Sequence, residues 1–239
     1  MLIQHLLTER LMRNLFQNPE FTKRNVIAAQ VQNVIEALAS TSFSTAEFLR
    51  KLDPYYNAIE KAGADLSHFT EKQDFLNSVY EQFFQRFSPD VADTHGIVYT
   101  PREIVDYMCN SVEQVLQEEF GYTLASPEVV ILDPCTGTGN FIVNLIERMP
   151  GRALAEAYRN RLFANEVMLL PYYVASLNIE HAYYERAREY EPFEGICFAD
   201  TLDMAEADQG ALFTETNTER VEREKGAAIT VIIGNCLPG

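Results

Sequence analysis

A chain of 239 residues with 47% hydrophobic and 23% charged side chains can bury a sizeable core, and this composition argues against disorder. The net charge of −16 is uneven, because residues 1–90 carry 9 basic and 11 acidic side chains whereas residues 91–239 carry 10 and 24. A surface that holds DNA needs clustered lysine and arginine, so residues 91–239 are not expected to grip nucleic acid tightly by themselves.

The first ninety residues are predicted to be helical. Apolar residues recur at helical spacing on two faces, and residues 70–87 add an aromatic stripe behind a capping threonine, Thr70. The two faces consist of Leu6, Leu7, Leu11, Leu15 and Phe16, and of Val26, Val31, Val34, Ile35 and Leu38. Stripes of this kind usually pack in a core. The segment Ser88-Pro89-Asp90 breaks the pattern, so we predict a helical region over 1–90 and a second domain over 91–239.

From residue 95 onward the pattern alternates between strands and helices. Pro101 is expected in the first turn of a helix, where its missing N–H does no harm. Four short apolar runs are predicted as strands, over 128–133, 161–166, 195–200 and 228–235. Apolar strands separated by helices indicate a parallel sheet with helices on both faces. Before the last strand, the Thr216 and Glu219 spacing predicts a capping box on a short surface helix.

Cysteine spacing and hydropathy bear on the compartment. Cys109, Cys135, Cys197 and Cys236 are far apart and form no paired motif, which predicts reduced thiols rather than a disulfide framework or a zinc site. No apolar run approaches the roughly 18 residues of a membrane span. The first residues reach Glu9 too early for a signal peptide. These features predict a soluble, cytoplasmic protein without a membrane partner.

The stretch "ILDPCTGTGNF" (131–141) carries the most information about function. An apolar strand ends at Asp133, the chain turns through Gly137 and Gly139, and a helix follows. Glycines allow a ligand to approach the backbone, and free N–H groups at a helix start attract its negative end. Position 142 is isoleucine, so the dinucleotide fingerprint is incomplete, and no P-loop lysine follows. We interpret the turn as a ligand site, although such a turn can also be purely structural.

Acidic residues end three successive predicted strands. Glu166 and Asp200 occupy the same place on the second and third strands as Asp133 on the first. Parallel strands bring these ends to one edge of the sheet, where ligands of open α/β folds bind. Glu166 is placed to accept hydrogen bonds from ribose hydroxyls; alternatively it only heads a helix. An acidic rim favours a ligand with positive charge and many donors over a phosphate.

These motifs resemble a known family. "DPCTGTGNF" resembles the first cofactor motif, Asp-Pro-x-x-Gly-x-Gly-x-Phe, of DNA methyltransferases that methylate amino groups with S-adenosylmethionine. "HGIVYTP" (95–101) is similar to the segment that precedes this motif in one subgroup, and "GNCLPG" stands where the family carries Asn-Pro-Pro-Tyr/Phe. Nearly the whole chain is similar to the coupler and methyltransferase part of single-polypeptide restriction–modification enzymes. In those, a nuclease and a helicase precede the coupler, and a target-recognition domain follows the methyltransferase.

The resemblance implies a fold, a cofactor and partners. The fold would be a Rossmann-like class I methyltransferase sheet, here incomplete, behind an N-terminal helical region. The reaction would be methyl transfer from S-adenosyl-L-methionine to the N6 amine of adenine in DNA. DNA would be held through a C-terminal target-recognition region of a parent enzyme, and a helicase–nuclease region or a complementing chain would be further partners.

The resemblance also implies roles for individual residues. Gly137 and Gly139 would lie against the methionine part of the cofactor, and Asp133 would either fix the turn or meet the ammonium group. Glu166 would hold the ribose, and Asp200 would accept a hydrogen bond from the exocyclic amine of the cofactor's adenine. Leu202 or Ile142 would be the apolar cover near the adenine. The implied cofactor set is Tyr99, Thr100, Pro101, Asp133, Pro134, Thr136, Gly137, Gly139, Asn140, Phe141, Glu166, Asp200, Thr201 and Leu202.

Asn235 is the implied catalytic residue. Its carbonyl and a proline carbonyl would accept hydrogen bonds from the amine of a flipped adenine, so that orientation rather than a strong base carries the step. Cys236, Leu237 and Pro238 stand where the family has two prolines and an aromatic residue. We therefore expect a truncated or frame-shifted enzyme that is inactive by itself. A non-catalytic binding or interaction module is the alternative, and methylation of protein glutamine or a small molecule is a third reading, disfavoured by the "HGIVYTP" segment.

Overall fold

Two compact units, residues 1–89 and 90–239, make up the chain. The computed structural model describes residues 2–15, 20–39, 49–64, 66, 71, 75, 78–79, 100–205 and 214–236. Within these ranges, no helix combines the length and the apolar character needed to cross a membrane.

The described part of the first unit is helical, as predicted. Its helices are α1 (Leu2–Leu15), α2 (Phe21–Arg24), α3 (Val26–Ala39) and α4 (Asp53–Ala64). Helix α1 packs against the other three. The buried apolar residues are Leu11, Met12, Phe21, Ile27, Ala28, Val31, Ile35 and Tyr56. Helix α3 therefore buries the row through Ile27, Val31 and Ile35, each four residues from the next.

Two residues of the predicted α3 stripe do not belong to this core. Val34 is 39% exposed and Leu38 is 54% exposed. They lie one position off the buried row of Val31 and Ile35, on the flank of the helix. Of the predicted aromatic helix, the described positions Glu71, Phe75, Ser78 and Val79 are helical. Its proposed cap and most of its aromatic stripe lie outside the described residues.

Arg10 ties α1 to α4. Its guanidinium donates to Asp53 at 2.6 Å, to Glu60 at 2.8 Å and to Asn57 at 3.1 Å. The same group lies over the ring of Tyr56, 4.7 Å from the centroid. Because the guanidinium is planar, one residue can bond several acceptors along the facing helix.

The second unit alternates strands and helices, which confirms the predicted α/β class. Its elements are α5 (Arg102–Phe120), β1 (Ile131–Asp133), α6 (Asn140–Arg148), α7 (Gly151–Asn160), β2 (Leu162–Glu166), α8 (Leu169–Ala187), β3 (Ile196–Phe198), a 3₁₀ turn (Asp203–Ala205), α9 (Glu215–Lys225) and β4 (Val231–Ile232). The strands form one parallel sheet in the order β3-β2-β1-β4. Pro101 precedes α5 as its N-cap, one residue earlier than predicted.

Strands β1, β3 and β4 are shorter than predicted. The ladder between β1 and β4 pairs only Ile131 with Val231 and Leu132 with Ile232. Before that point, the Val130 N–H donates to the hydroxyl of Thr230 rather than to a strand carbonyl. The apolar run that contains β1 therefore extends beyond the paired residues. There the Thr230 side chain, rather than a β4 carbonyl, satisfies the Val130 N–H.

Helix α9 begins two residues earlier than the predicted capping box. Thr214 is the N-cap, and its Oγ1 accepts from the Asn217 N–H at 2.9 Å. The helix is not simply a surface helix, because Asn217, Arg220, Val221 and Glu224 are buried. The Asn217 amide exchanges two hydrogen bonds with the backbone of Phe198, at 2.9 and 3.0 Å. Asn217 therefore satisfies part of the free edge of β3.

Candidate functional site

The glycine turn, which we define as residues 134–139, connects the carboxyl end of β1 to the start of α6. Gly137 and Gly139 have φ values of +57° and +88°, a left-handed conformation that side chains with a Cβ rarely adopt. Gly139 is also the N-cap of α6 and lies against α8. The sequence requires glycine at both positions for the chain to reverse in so few residues.

Strand β2 holds the glycine turn from the side. The Thr136 N–H donates to the carbonyl of Asn165 at 2.9 Å, and the Gly137 N–H donates to Glu166 Oε2 at 2.9 Å. Within the turn, the Gly139 N–H donates to the carbonyl of Thr136 at 2.8 Å. Thr136 itself is buried. Its backbone is thus bonded both to the neighbouring strand and across the turn.

Asp133 is a fully buried carboxyl group at the end of β1. Its Oδ1 accepts from the Cys135 N–H at 3.3 Å, whereas its Oδ2 has no hydrogen-bond partner among the described residues. Burial raises the pKa of Asp133 to about 7, and the side chain of Thr136 and the Cys135 N–H only partly offset this. Of the two roles implied for Asp133, the geometry favours fixing the turn.

Glu166 ends β2 and is also buried. Its Oε1 accepts from the Met168 N–H at 2.7 Å, and its Oε2 accepts from the glycine turn. Burial, together with the charge of Asp133, raises the pKa of Glu166 to about 7, although hydrogen bonds from the backbone of Met168, Gly137 and Val167 lower it. Glu166 therefore links the start of α8 to the glycine turn. A carboxylate oxygen can accept more than one hydrogen bond.

Residues 200–202 follow β3 at the same edge of the sheet. Asp200 Oδ1 accepts from the Leu202 N–H at 2.9 Å, which forms a tight local turn. The Thr201 hydroxyl donates to the carbonyl of Pro134 at 2.5 Å and so joins this segment to the glycine turn. The side chain of Leu202 is exposed. The predicted meeting of all three strand ends at one edge follows from the parallel order of β1, β2 and β3.

Three other predicted residues differ in their surroundings. Asn140 begins α6 and is half-buried, so it remains at the rim of the turn. Phe141 and Ile142 are buried in the core, with 3% and 0% exposure. Their positions suit packing beneath the site rather than contact with a ligand. Of the two residues considered as apolar cover, only Leu202 is exposed.

Thr100 and Asn235 meet although they are distant in sequence. The Asn235 Nδ2 donates to the Thr100 hydroxyl oxygen at 3.1 Å. Both residues are half-buried, and Pro101 beside them is exposed. With Nδ2 facing Thr100, the Oδ1 of Asn235 points in another direction. Tyr99, the remaining residue of this group, lies outside the described residues.

The prediction of four reduced cysteines is wrong for one pair. Cys135 in the glycine turn and Cys236 after β4 form a disulfide, with their Cα atoms 5.5 Å apart. Cys109 and Cys197 are free and buried, and burial raises the pKa of the Cys109 thiol to about 12. Strands β1 and β4 are neighbours, so their exit loops lie side by side. This proximity brings together two cysteines that are 101 residues apart.

Sequence reasoning missed two residues at this site. Asn178 in α8 donates from Nδ2 to the carbonyl of Thr138 at 2.8 Å. Gly234 lies so close to the end of β1 that a Cβ there would stand 2.7 Å from Asp133 Oδ1. The only signals available were a polar residue within the apolar run "VASLNIEHA" and a glycine near the end of a predicted strand.

Comparison with known protein families accounts for both units. A model described as N-6 DNA Methylase matches residues 71–219, and a model described as the coupler domain of Type ISP restriction-modification enzymes matches residues 1–74. The chain belongs to the N-6 DNA methylase family. This membership explains the strand–turn–helix site and the preceding helical region together.

Three solved structures are similar to this chain over 98% of its length. The cryo-EM structure of the DrdV–DNA complex is 39% identical with a TM-score of 0.91, and the match covers 23% of that chain. The ATP-dependent Type ISP restriction-modification enzyme LlaBIII bound to DNA is 33% identical with a TM-score of 0.86, over 17% of its chain. A nuclease-deletion mutant of the Type ISP enzyme LlaGI, in complex with a DNA substrate mimic, gives 33% identity and a TM-score of 0.86, over 19% of its chain.

The chain thus spans less than a quarter of the length of each of these matched structures. Comparison with curated proteins gives no match. Membership of the N-6 DNA methylase family implies use of S-adenosylmethionine and a methyl-transfer reaction on DNA at the level of the family.

Proposed function

We propose that this chain is the coupler and cofactor-binding portion of a restriction–modification enzyme that transfers a methyl group from S-adenosylmethionine to the N6 amine of adenine in DNA. The observation that carries the proposal is the glycine turn at the end of β1, flanked by the strand-end acids Glu166 and Asp200. The division near residue 90 would separate a coupler-like helical region from the methyltransferase domain.

The site residues fit the cofactor on structural grounds. Gly137 leaves open space beside the turn, since a Cβ there would meet nothing within 4 Å, and Gly139 lets the turn pack closely on α8. Glu166 would accept from the ribose hydroxyls through its remaining lone pairs, and the half-buried Asp200 would accept from the adenine amine. The exposed side chain of Leu202 would cover the adenine ring, because burial of an exposed leucine against an apolar surface is favourable. Thr100 and Pro101 would line the pocket from the start of α5.

The cofactor, when bound, supplies an electrophilic methyl group on a sulfonium. The protein's contribution is then orientation and charge stabilisation. Asn235 would accept from the N6 amine of a flipped adenine through Oδ1, since its Nδ2 is engaged with Thr100. The Thr100 bond thereby selects which end of the Asn235 amide is offered to the base.

DNA is the proposed partner, and the three matched structures are complexes with DNA or a DNA mimic. Residues 91–239 carry 24 acidic and 10 basic side chains, which is unfavourable for contact with a phosphate backbone. We therefore assign the phosphate contacts to regions outside residues 91–239. A target-recognition region and a helicase–nuclease region of a parent enzyme, or a complementing chain, would supply them.

A specific observation favours a second candidate, a non-catalytic module that binds S-adenosylmethionine. Cys236 occupies the position that should offer a proline carbonyl to the adenine, and it is bonded to Cys135. That bond ties the segment after Asn235 to the glycine turn. A pocket held in this way can retain the cofactor while it fails to align a base.

Calorimetric titration of the 239-residue chain with S-adenosylmethionine tests the proposal. We expect measurable binding that weakens in Asp200→Ala, which removes the adenine acceptor, and in Gly139→Val, whose Cβ would meet Ile179 at 3.2 Å. Glu128→Ala is the matched control, because it removes an exposed acid near the opposite end of β1. No heat at millimolar cofactor, or equal binding by all four proteins, would overturn the proposal.

A further inference from the structure

Helix α8 carries a buried amide that its packing alone does not require. Asn178 is 1% exposed within a helix whose neighbouring residues Leu177 and Ile179 are buried and apolar. Asparagine is a poor helix former, and a buried amide costs free energy unless it is hydrogen-bonded. Its Oδ1 has no partner among the described residues. The bond made by its Nδ2 must therefore account for its presence.

That bond reaches the centre of the glycine turn. Asn178 Nδ2 donates to the carbonyl oxygen of Thr138 at 2.8 Å, across 40 residues of sequence. The Thr138 carbonyl and the Gly139 N–H belong to one planar trans peptide group, so they point in opposite directions. The Gly139 N–H donates to the carbonyl of Thr136. Both ends of this one peptide group are thus fixed, one by α8 and the other by the turn itself.

The surface of α8 beneath the glycine turn is fitted to it. A Cβ at Gly139 would stand 3.3 Å from the Cα of Ala175 and 3.2 Å from Cγ1 of Ile179. Asn178 and Ile179 follow Ala175 by three and four residues, so all three lie on one face of the helix. Ala175 and Ile179 provide close packing, and Asn178 provides the directional contact.

We propose that Asn178 is a positioning residue that holds the glycine turn in its ligand-binding conformation; this rests on the proposed function. Asn178 acts through the Thr138 peptide group and does not itself contact the cofactor. Flexible glycines on either side of Thr138 allow the peptide group to rotate when the bond is absent. Affinity for a ligand falls in proportion to the population of the competent conformation.

Asn178→Leu tests the proposal because it separates stability from affinity. Leucine has a similar shape, is a better helix former and leaves no buried amide. We expect an unchanged or higher melting temperature together with S-adenosylmethionine binding that is about 5- to 10-fold weaker. A residue that only supported the fold would change both in the same direction. Asn178→Ala is the second variant, should leucine not fit at this position.

Ser176→Ala is the matched control in the same helix. Ser176 is 3% exposed, and its hydroxyl donates to the Tyr172 carbonyl one turn earlier in α8. We expect this variant to bind the cofactor like the unmodified chain. Equal affinity in Asn178→Leu, Asn178→Ala and the unmodified chain would overturn the positioning role.

A ligand-free measurement keeps this inference separate from the proposed function. In ¹⁵N–¹H spectra of the full chain without ligand, the amide signals of Gly137 and Gly139 report the conformation of the turn. We expect them to shift or broaden in Asn178→Leu and to stay in place in Ser176→Ala. If the unmodified chain binds no cofactor but these signals change, the proposed function fails while the turn-holding role stands. Unchanged signals overturn that role.

Discussion

Gly234 and Asp133 are in close contact across the sheet: a Cβ built on Gly234 would lie 2.7 Å from Asp133 Oδ1 and 3.2 Å from Cδ of Pro134. The chain leaving β4 therefore passes directly over the end of β1. The residue before the candidate catalytic Asn235 must be small for this reason. The candidate cofactor-binding edge and the candidate base-binding residue thus share one packing contact.

Substitution of Gly234 tests this contact. We expect Gly234→Ala to lower the free energy of unfolding by about 1–3 kcal/mol, because the buried carboxyl group or the strand must shift. Chemical denaturation measures the change. Gly151→Ala is the control, since a Cβ at Gly151 meets nothing within 4 Å and lies in the first turn of α7. An alanine in a compatible helical position is neutral or stabilising, so equal effects of the two variants would contradict the contact.

Two buried carboxyl groups predict a pH dependence of stability. Burial raises the pKa of Asp133 and of Glu166 to about 7, whereas in an unfolded chain both lie near about 4. The folded state therefore binds these protons more tightly. Their favourable contribution is fully present below about pH 4 and is lost as the pH rises towards about 7.

Asp133→Asn isolates one of these titrations, because Oδ1 can still accept from the Cys135 N–H. We expect its free energy of unfolding to fall less between pH 5 and pH 8 than that of the unmodified chain. Urea denaturation at several pH values gives the two slopes. Parallel profiles would show that Asp133 does not titrate in this range.

The Cys135–Cys236 disulfide closes a loop of 101 residues. We expect its reduction to lower the free energy of unfolding by about 2–4 kcal/mol, because the cross-link restricts the unfolded chain. Denaturation with and without dithiothreitol measures this difference. Cys236→Ser should reproduce the reduced state and should not respond to dithiothreitol. A wild-type chain that is equally stable in both conditions would contradict the bond.

We expect no detectable DNA methylation by the 239-residue chain alone. Residues 91–239 carry excess negative charge, and Pro238 stands where the family has an aromatic residue. Base–aromatic stacking is worth roughly 1–3 kcal/mol, so its loss weakens capture of a flipped base by about 5- to 150-fold. Transfer of labelled methyl groups to a pool of unmethylated DNA at low salt is the measurement. Incorporation that disappears in Asn235→Ala would show that Cys236 and Leu237 support a working pocket.

The elements that sequence predicted well are those whose pattern is local. Strand β2 was placed within one residue, because all five of its residues are buried and it begins with the apolar residues Leu162, Phe163 and Ala164. The start of β4 was misplaced because its ladder has two residues and Ile232 is 69% exposed. Residue type in an apolar run does not reveal which positions meet a neighbouring strand.

The candidate site shows the same contrast between features with a local sequence pattern and features that depend on distant residues. Gly137, Gly139 and the strand-end acids could be predicted, because a glycine turn between a strand and a helix is a contiguous signal. Asn178 could not be predicted, because its bond to Thr138 joins residues 40 positions apart and produces no periodic pattern in the sequence. The Cys135–Cys236 bond was missed for the same reason, since spacing alone does not determine which cysteines pair.

The position of β1 in the sheet has a consequence for synthesis of the chain on the ribosome. One side of β1 pairs with β2, which follows soon after it in the chain. The other side can pair only after β4 has been synthesised, and the Val130–Thr230 bond spans 100 residues. At about 5–20 residues per second, those residues take about 5–20 seconds to be made. During that interval an apolar strand edge stays open to mispairing, so we expect a nascent chain that has reached β3 to need protection until β4 emerges.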